Sequence, residues 1–197
     1  MIVLLDNGHG NTTAGKRSPD GRLREYAYCR EIAQRVQETL AADGIDARLI
    51  VPEVWDVSLA ARCERVNKVC EEARDAQQVA LISIHNNAAG NGGWMSARGW
   101  SGWVYRNAGW RAKRLAQLLY AEAAQRNLQG NRSVPACHYW EAGFYILKNT
   151  RCPAVLTENL FQDNPEDVDY LLSEEGTAAI VGVHVDGIRR YIAAMTD

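Results

Sequence analysis

At 197 residues, 47% of them hydrophobic and 23% charged, the chain has the size of one ordinary globular domain and can bury roughly two thirds of its unfolded surface. Its 22 Lys and Arg against 24 Asp and Glu give a net charge of -2, which excludes the basic footprint of a nucleic-acid binder. No stretch approaches the ~20 apolar residues that cross a bilayer, the longest candidate, Ala178 to Ile188, being interrupted by His184 and Asp186.

The chain opens on an apolar run, Ile2 to Leu5, that reads as a strand. It lacks the basic flank and apolar core of a secretory signal, so synthesis without a visible signal peptide is expected. A loop rich in Gly, Asn, Thr, Ser and Pro follows, Asn7 to Leu23, in which His9 stands between Gly8 and Gly10. Gly10 to Lys16 matches most of a phosphate-binding loop, but Arg17 replaces the hydroxyl residue that should hold magnesium. Ser18-Pro19-Asp20-Gly21 then continues the loop where a helix N-terminus ought to receive phosphate. A helix over Glu25 to Ala42 carries Ile32, Val36 and Leu40 at four-residue spacing and closes at Gly44.

A strand over Ala47 to Val51 leads to a helix over Leu59 to Asp75, where Cys63 and Cys70 share the apolar stripe of Leu59, Val66 and Ala73. The five cysteines form no Cys-x-x-Cys pair, so neither a disulfide framework nor a cysteine-bound zinc is expected. The strand Val79 to Ile84 ends at His85-Asn86-Asn87, and a second Gly-rich loop, Asn86 to Ser101, holds Trp94 and Trp100. Further strands are expected at Gly102 to Tyr105, Phe144 to Leu147 and Ala154 to Thr157, with a helix over Trp110 to Arg126 and a C-terminal helical pair. Asn164 followed by Pro165, Glu166 and Asp167 is a helix start, with a cap, a proline in the first turn and acids beside it. The last helix is expected from about Thr177 to Ala194. Strands alternating with amphipathic helices predict a single α/β domain over residues 1–197, three-layered, with a mostly parallel sheet of about six strands flanked by helices. Both Gly-rich loops leave the carboxyl ends of strands, where open α/β sheets place their ligands.

Each of the four histidines has its own reading. His9 and His85 end two neighbouring strands and could converge on one ion with a carboxylate; from spacing alone each could equally be a polar residue bonded to loop backbone. His184 shares a helical face with Ile180, Ile188 and Tyr191 and reads as a packed core histidine. His138 lies in a loop that could border a cleft. Asn87 could bond a ligand or loop backbone. Trp103, Tyr105 and Trp110 read mainly as core, whereas Trp94 and Trp100, among Gly and Ser, are candidates for an exposed platform against sugar or peptide.

Four motifs in register from residue 2 to about residue 192 carry a resemblance: Asp6-Asn7-Gly8-His9-Gly10, Glu25 in Arg24-Glu25-Tyr26, Ser83-Ile84-His85-Asn86-Asn87, and Pro153 to Asn164 with Thr157-Glu158-Asn159 at its centre. Together they resemble the zinc-dependent N-acetylmuramoyl-L-alanine amidases of the amidase 3 type. The resemblance implies Zn2+ held by His9, Glu25 and His85, with Glu158 as catalytic acid/base. It also implies hydrolysis of the amide between N-acetylmuramic acid and L-alanine in peptidoglycan. The residues alone read otherwise: Glu25 as a first-turn acid favoured by the helix dipole, Glu158 as a strand-end charge in water. Asn11, Asn86 and the Asn159-Leu160 pair depart from the family pattern, which bears on substrate detail and removes no ligand. A noncatalytic peptidoglycan-binding module and a zinc peptidase acting on another amide are the alternatives. Some family members carry a blocking helix after the helix that here ends near Arg126. Asn127 to Gly143, with Gly130, Pro135 and Gly143, leaves no room for one, so activity without an activator protein is expected. The wall would then be reached through a phage-type lysis pathway or from a longer precursor.

Overall fold

The computed structural model describes residues 1–196. Its strands are β1 (Ile2–Asn7), β2 (Asp46–Leu49), β3 (Val79–Asn87), β4 (Ser101–Tyr105), β5 (Trp140–Ala142) and β6 (Ala154–Phe161). Its helices are α1 (Glu25–Ala42), α2 (Leu59–Glu72), α3 (Trp110–Gln125), α4 (Tyr145–Asn149), α5 (Pro165–Leu171) and α6 (Glu174–Thr196). The strands form one sheet in the order β2-β1-β3-β6-β4-β5. β2, β1, β3 and β6 are parallel, while β4 pairs antiparallel with β6 and parallel with β5, so the last two strands run against the rest.

The central strands are buried on both faces, which is why they read as unbroken apolar runs. Val3, Leu5, Ile82, Ile84 and Val155 point to one face, where Ile32, Val36 and Leu40 of α1 meet Leu115 and Leu119 of α3 and Ile180 and Ile188 of α6. Leu4, Leu81 and Leu156 point to the other, against Cys63, Val66 and Cys70 of α2 and Ile146 and Leu147 of α4. This period-two division of each strand makes the three layers. Cys63 and Cys70 are small buried hydrophobes, and all five cysteines are free. Among the described residues no helix is long and apolar enough to cross a membrane.

Three expectations need correction. Phe144 to Leu147 is not a strand: Tyr145–Asn149 is the short helix α4, and the edge strand lies just before it, at Trp140–Ala142. A four-residue apolar run cannot separate helix from strand by periodicity, and here the helical turn buries Ile146 and Leu147 while Phe144 and Tyr145 stay exposed. Trp110, expected in the core, is 64% exposed, with the Arg111 guanidinium 5.4 Å from its ring centroid. Leu59, at the head of the α2 stripe, is exposed as well.

β3 and β6 also run beyond their apolar cores. Polar residues continue the ladder, His85 opposite Glu158 and Asn87 opposite Phe161 with a register shift between them. Glu158 therefore sits within a strand and not at its end. Leu160 is in the left-handed region, φ 63°, where the strand breaks step before Phe161.

Candidate metal centre and active site

His9 follows β1 with φ 59°, a conformation that costs a non-glycine residue energy and must be held by its surroundings. The glycines on either side make room. A Cβ on Gly8 would stand 2.5 Å from the His85 ring, and one on Gly10 would stand 2.1 Å from the backbone nitrogen of Asp56. The hold comes from Arg62 of α2. Its guanidinium, fully buried, donates to Asp6 Oδ1 and to the carbonyl of Asn7 at 2.7 Å each, to the carbonyl of Val57 at 2.8 Å and to that of His9 at 3.3 Å. Ser83 Oγ donates to the other Asp6 oxygen at 2.5 Å. A buried charge pair satisfied this fully stiffens the strand end that carries His9.

Glu25, at the first position of α1, is completely buried. Its Oε1 lies 3.3 Å from His9 Nε2 and 3.1 Å from His85 Nδ1, and accepts from the backbone N–H of Asn86 at 3.1 Å. Its Oε2 accepts from Gln162 Nε2 at 3.2 Å. Burial works to raise the Glu25 pKa, but the bonds and charges of His85 and His9 outweigh it and hold the carboxyl well below the usual range. In turn Glu25 raises the pKa of His85 against the opposing effect of burial.

One donor atom from each of His9, Glu25 and His85 lies within 4.8 Å of the other two. Four ligands set tetrahedrally at ~2.0–2.1 Å from zinc stand ~3.3 Å apart, close to the two separations measured from Glu25 Oε1. Two imidazoles and a carboxylate are also the donor set of a three-ligand catalytic zinc site. The residues fit such a cation, and a proton shared among them would compete with it.

His85 is fixed from behind by a chain of bonds across the sheet. Its carbonyl accepts from Asn159 Nδ2 at 3.0 Å, and the same amide donates to Thr157 Oγ1 at 3.2 Å. Thr157 meets His184 Nε2 at 3.0 Å, while His184 Nδ1 faces the Ile180 carbonyl at 2.8 Å. A carbonyl can only accept, so Nδ1 carries the proton and Thr157 donates to Nε2. His184 is thus a buried neutral core histidine, its pKa pushed down to about 4 by burial.

Glu158 faces a cleft of about 370 Å³ that also exposes His9, His85, Lys16, Phe144 and Tyr145. Its Oε2 is shut away from solvent with no hydrogen-bond partner. Burial raises its pKa to about 7, with the charge of His85 working the other way.

Of the four residues expected at the substrate, only the exposure of Trp100 is overturned, and none is among the residues lining this cleft. Trp100 is the clearest correction: it is 1% exposed, its Nε1 donating to Asn159 Oδ1 at 2.8 Å, so it supports the β6 chain of bonds and offers no platform. Asn87 turns its side chain to the backbone N–H of Ala88 at 2.9 Å. Trp94 is 42% exposed on its loop, and His138, at φ 61°, stacks on Tyr120 with centroids 5.1 Å apart. None of the four lines the cleft. Phe144 and Tyr145, which do, were masked by their reading as strand; Arg62 gave no signal in sequence, its partners being carbonyls, Asp56 and an aspartate 56 positions away. The Gly10–Lys16 loop binds inward, Thr13 Oγ1 accepting from Gly10 N at 3.0 Å and donating to Asp56 at 2.6 Å, and no helix begins before Glu25.

The family Amidase_3, described as N-acetylmuramoyl-L-alanine amidase, matches residues 3–190. A curated relative, the probable cell wall amidase LytH of Staphylococcus aureus, is 26% identical over 193 residues; the match covers 98% of this chain but only 58% of that protein. Among solved structures, the N-acetylmuramoyl-L-alanine amidase AmiC2 of Nostoc punctiforme is similar at a TM-score of 0.80 and 25% identity, covering 98% of this chain and 97% of the other. The CwlD amidase of Clostridioides difficile, solved in complex with the GerS lipoprotein, shares the fold at a TM-score of 0.80 and 19% identity, with 98% of both chains covered.

Proposed function

Because the chain belongs to the N-acetylmuramoyl-L-alanine amidase family Amidase_3, we propose that it hydrolyses the amide between the lactyl group of N-acetylmuramic acid and the L-alanine of the stem peptide, using zinc held by His9, Glu25 and His85. The observation that carries this reading is the convergence of those three donors beside a glutamate whose buried oxygen has no partner.

When bound, zinc supplies Lewis-acid polarisation of the amide carbonyl and lowers the pKa of water at its open position. The rest falls to the chain. Glu158, its pKa raised to about 7, takes a proton from the attacking water and returns it to the alanine nitrogen as that bond breaks, a role its raised pKa supports. The return is required because an amine leaves poorly as an anion. Glu25 is fixed by Asn86 and Gln162, and His9 by the Arg62 network, so the donors are set before substrate arrives. Phe144 and Tyr145 offer exposed aromatic surface at the cleft to the substrate. We extend the proposal to activity at the cell wall without an activator protein. The segment between α3 and β5 folds as turns, and the cleft at Glu158 stays open to solvent.

The test is digestion of purified muropeptides by zinc-loaded protein with no other protein present, read by mass spectrometry. The expected product is a free L-alanine amine. A cut at another amide identifies a peptidase, retention without cleavage a binding module, and turnover only after a partner is added overturns the claim of independence.

A further inference from the structure

Resting on the amidase reading, we infer that Arg132 is the specificity residue of this site and binds a carboxylate of the stem peptide on the leaving-group side of the scissile bond.

Arg132 lies in the loop between α3 and β5 with its guanidinium carbon 4.8 Å from the ring centroid of Phe161 and 5.4 Å from that of Trp140. The guanidinium carbon stands over both rings, and none of its N–H donors is taken up by a side chain or carbonyl of the described residues. No hydrogen bond or ion pair to Arg132 exists among the described residues, and its Nε is buried without an acceptor. A half-buried arginine in that state is unusual, because most of what a guanidinium gains from leaving water comes from bidentate pairing with an oxyanion.

The loop is built to keep it there. Asn131, the preceding residue, accepts from Arg98 N at 3.0 Å, donates from Nδ2 to the Ser96 carbonyl at 2.8 Å and from its backbone to the Arg98 carbonyl at 3.3 Å. Gly130, at φ 73°, packs so closely that a Cβ would stand 2.1 Å from that same carbonyl. One ring belongs to Phe161, three positions beyond Glu158 on the strand that carries the active site. Glu158 and Asp167 both favour the charged guanidinium against its burial, yet neither is bonded to it. The positive edge therefore lies within electrostatic reach of Glu158, unpaired within the described residues and left for an anion from outside the chain.

The proposed reaction says which anion. The alanine released is the head of a stem peptide, and an acidic residue following it would present a carboxylate, or a carboxamide if amidated. A planar guanidinium distinguishes the two through a charge-assisted bidentate pair worth ~10- to 100-fold.

The experiment uses two muropeptides that differ only in carboxylate against carboxamide at the second stem residue, with affinity read by calorimetry and turnover read separately. Wild type should bind the carboxylate form ~10- to 100-fold more tightly. Arg132→Gln should bring the ratio to about 1, and Arg132→Lys should retain part of it. Equal affinity of wild type for the two, or an undiminished ratio in Arg132→Gln of unchanged melting temperature, overturns the inference. Should Arg132→Gln fold poorly, the wild-type ratio and that of Arg132→Lys decide alone. Failure of turnover with the affinity ratio intact overturns the amidase reading and leaves Arg132 as the carboxylate-binding residue.

Discussion

Replacing Glu158 with Gln keeps the volume and removes the charge, and it has a consequence besides loss of catalysis. Burial lifts the carboxyl from an ordinary 4.5 to about 7. The folded metal-free protein therefore holds a proton there that the unfolded chain has already lost. Stability must fall as pH rises from about 4.5 to about 7, and above that the charged carboxylate costs about 3 kcal/mol. Glutamine has no such cost. In chelator, Glu158→Gln should be more stable than wild type at pH 8 by up to about 3 kcal/mol, with the difference vanishing near pH 4. Urea denaturation across that range measures it. Bound cation would shrink the gain, since it stabilises the carboxylate in wild type. With zinc restored, turnover of the variant should drop by ~10²-fold or more while zinc content and substrate affinity stay near wild type. A stability difference that does not change with pH would refute the account of a desolvated carboxyl. Undiminished turnover would refute its role as proton carrier.

Zinc should be present at about one per chain; a strong chelator should abolish turnover and lower the melting temperature, and added zinc should restore both, as metal analysis and thermal denaturation will show. Gly8→Ala places a methyl 2.5 Å from the His85 ring, so it should displace that imidazole and weaken zinc binding tenfold or more in a competition titration with a chromophoric chelator. His184, pushed down to about 4, is neutral when folded while the unfolded residue protonates below about 6.5. Stability should therefore fall as pH drops from 6.5 to 4, by about 3 kcal/mol in all. His184→Gln should flatten that slope in urea midpoints measured against pH, and an equally steep slope in the variant would place the acid lability elsewhere.

What was legible in the sequence was whatever depends on near neighbours along the chain. Four-residue apolar spacing marks α1, and the Asn164-Pro165 start marks α5, its Asn164 side chain accepting from Asp167 N. The apolar runs of β1, β3 and β6 announce a parallel sheet because strands covered on both faces need no polar side. The motifs around His9, His85 and Glu158 pointed to a family before any geometry did. Tertiary structure decided the rest. That Glu25 Oε1 stands between two imidazoles is set by α1 returning across β1 and β3, a relation over 60 positions to His85 that no local pattern encodes. The orphaned oxygen of Glu158 follows from β6 lying beside β3 with Glu158 opposite His85, and the sequence alone read that glutamate as exposed. Trp100 among glycines looked like surface, yet its indole is drawn inward by Asn159; Phe144 looked like strand, yet it opens on the cleft. Local composition marks the long elements, though not the short α4 and β5. Burial and polar pairing belong to elements distant in sequence, and they are determined only once the sheet order brings those elements together.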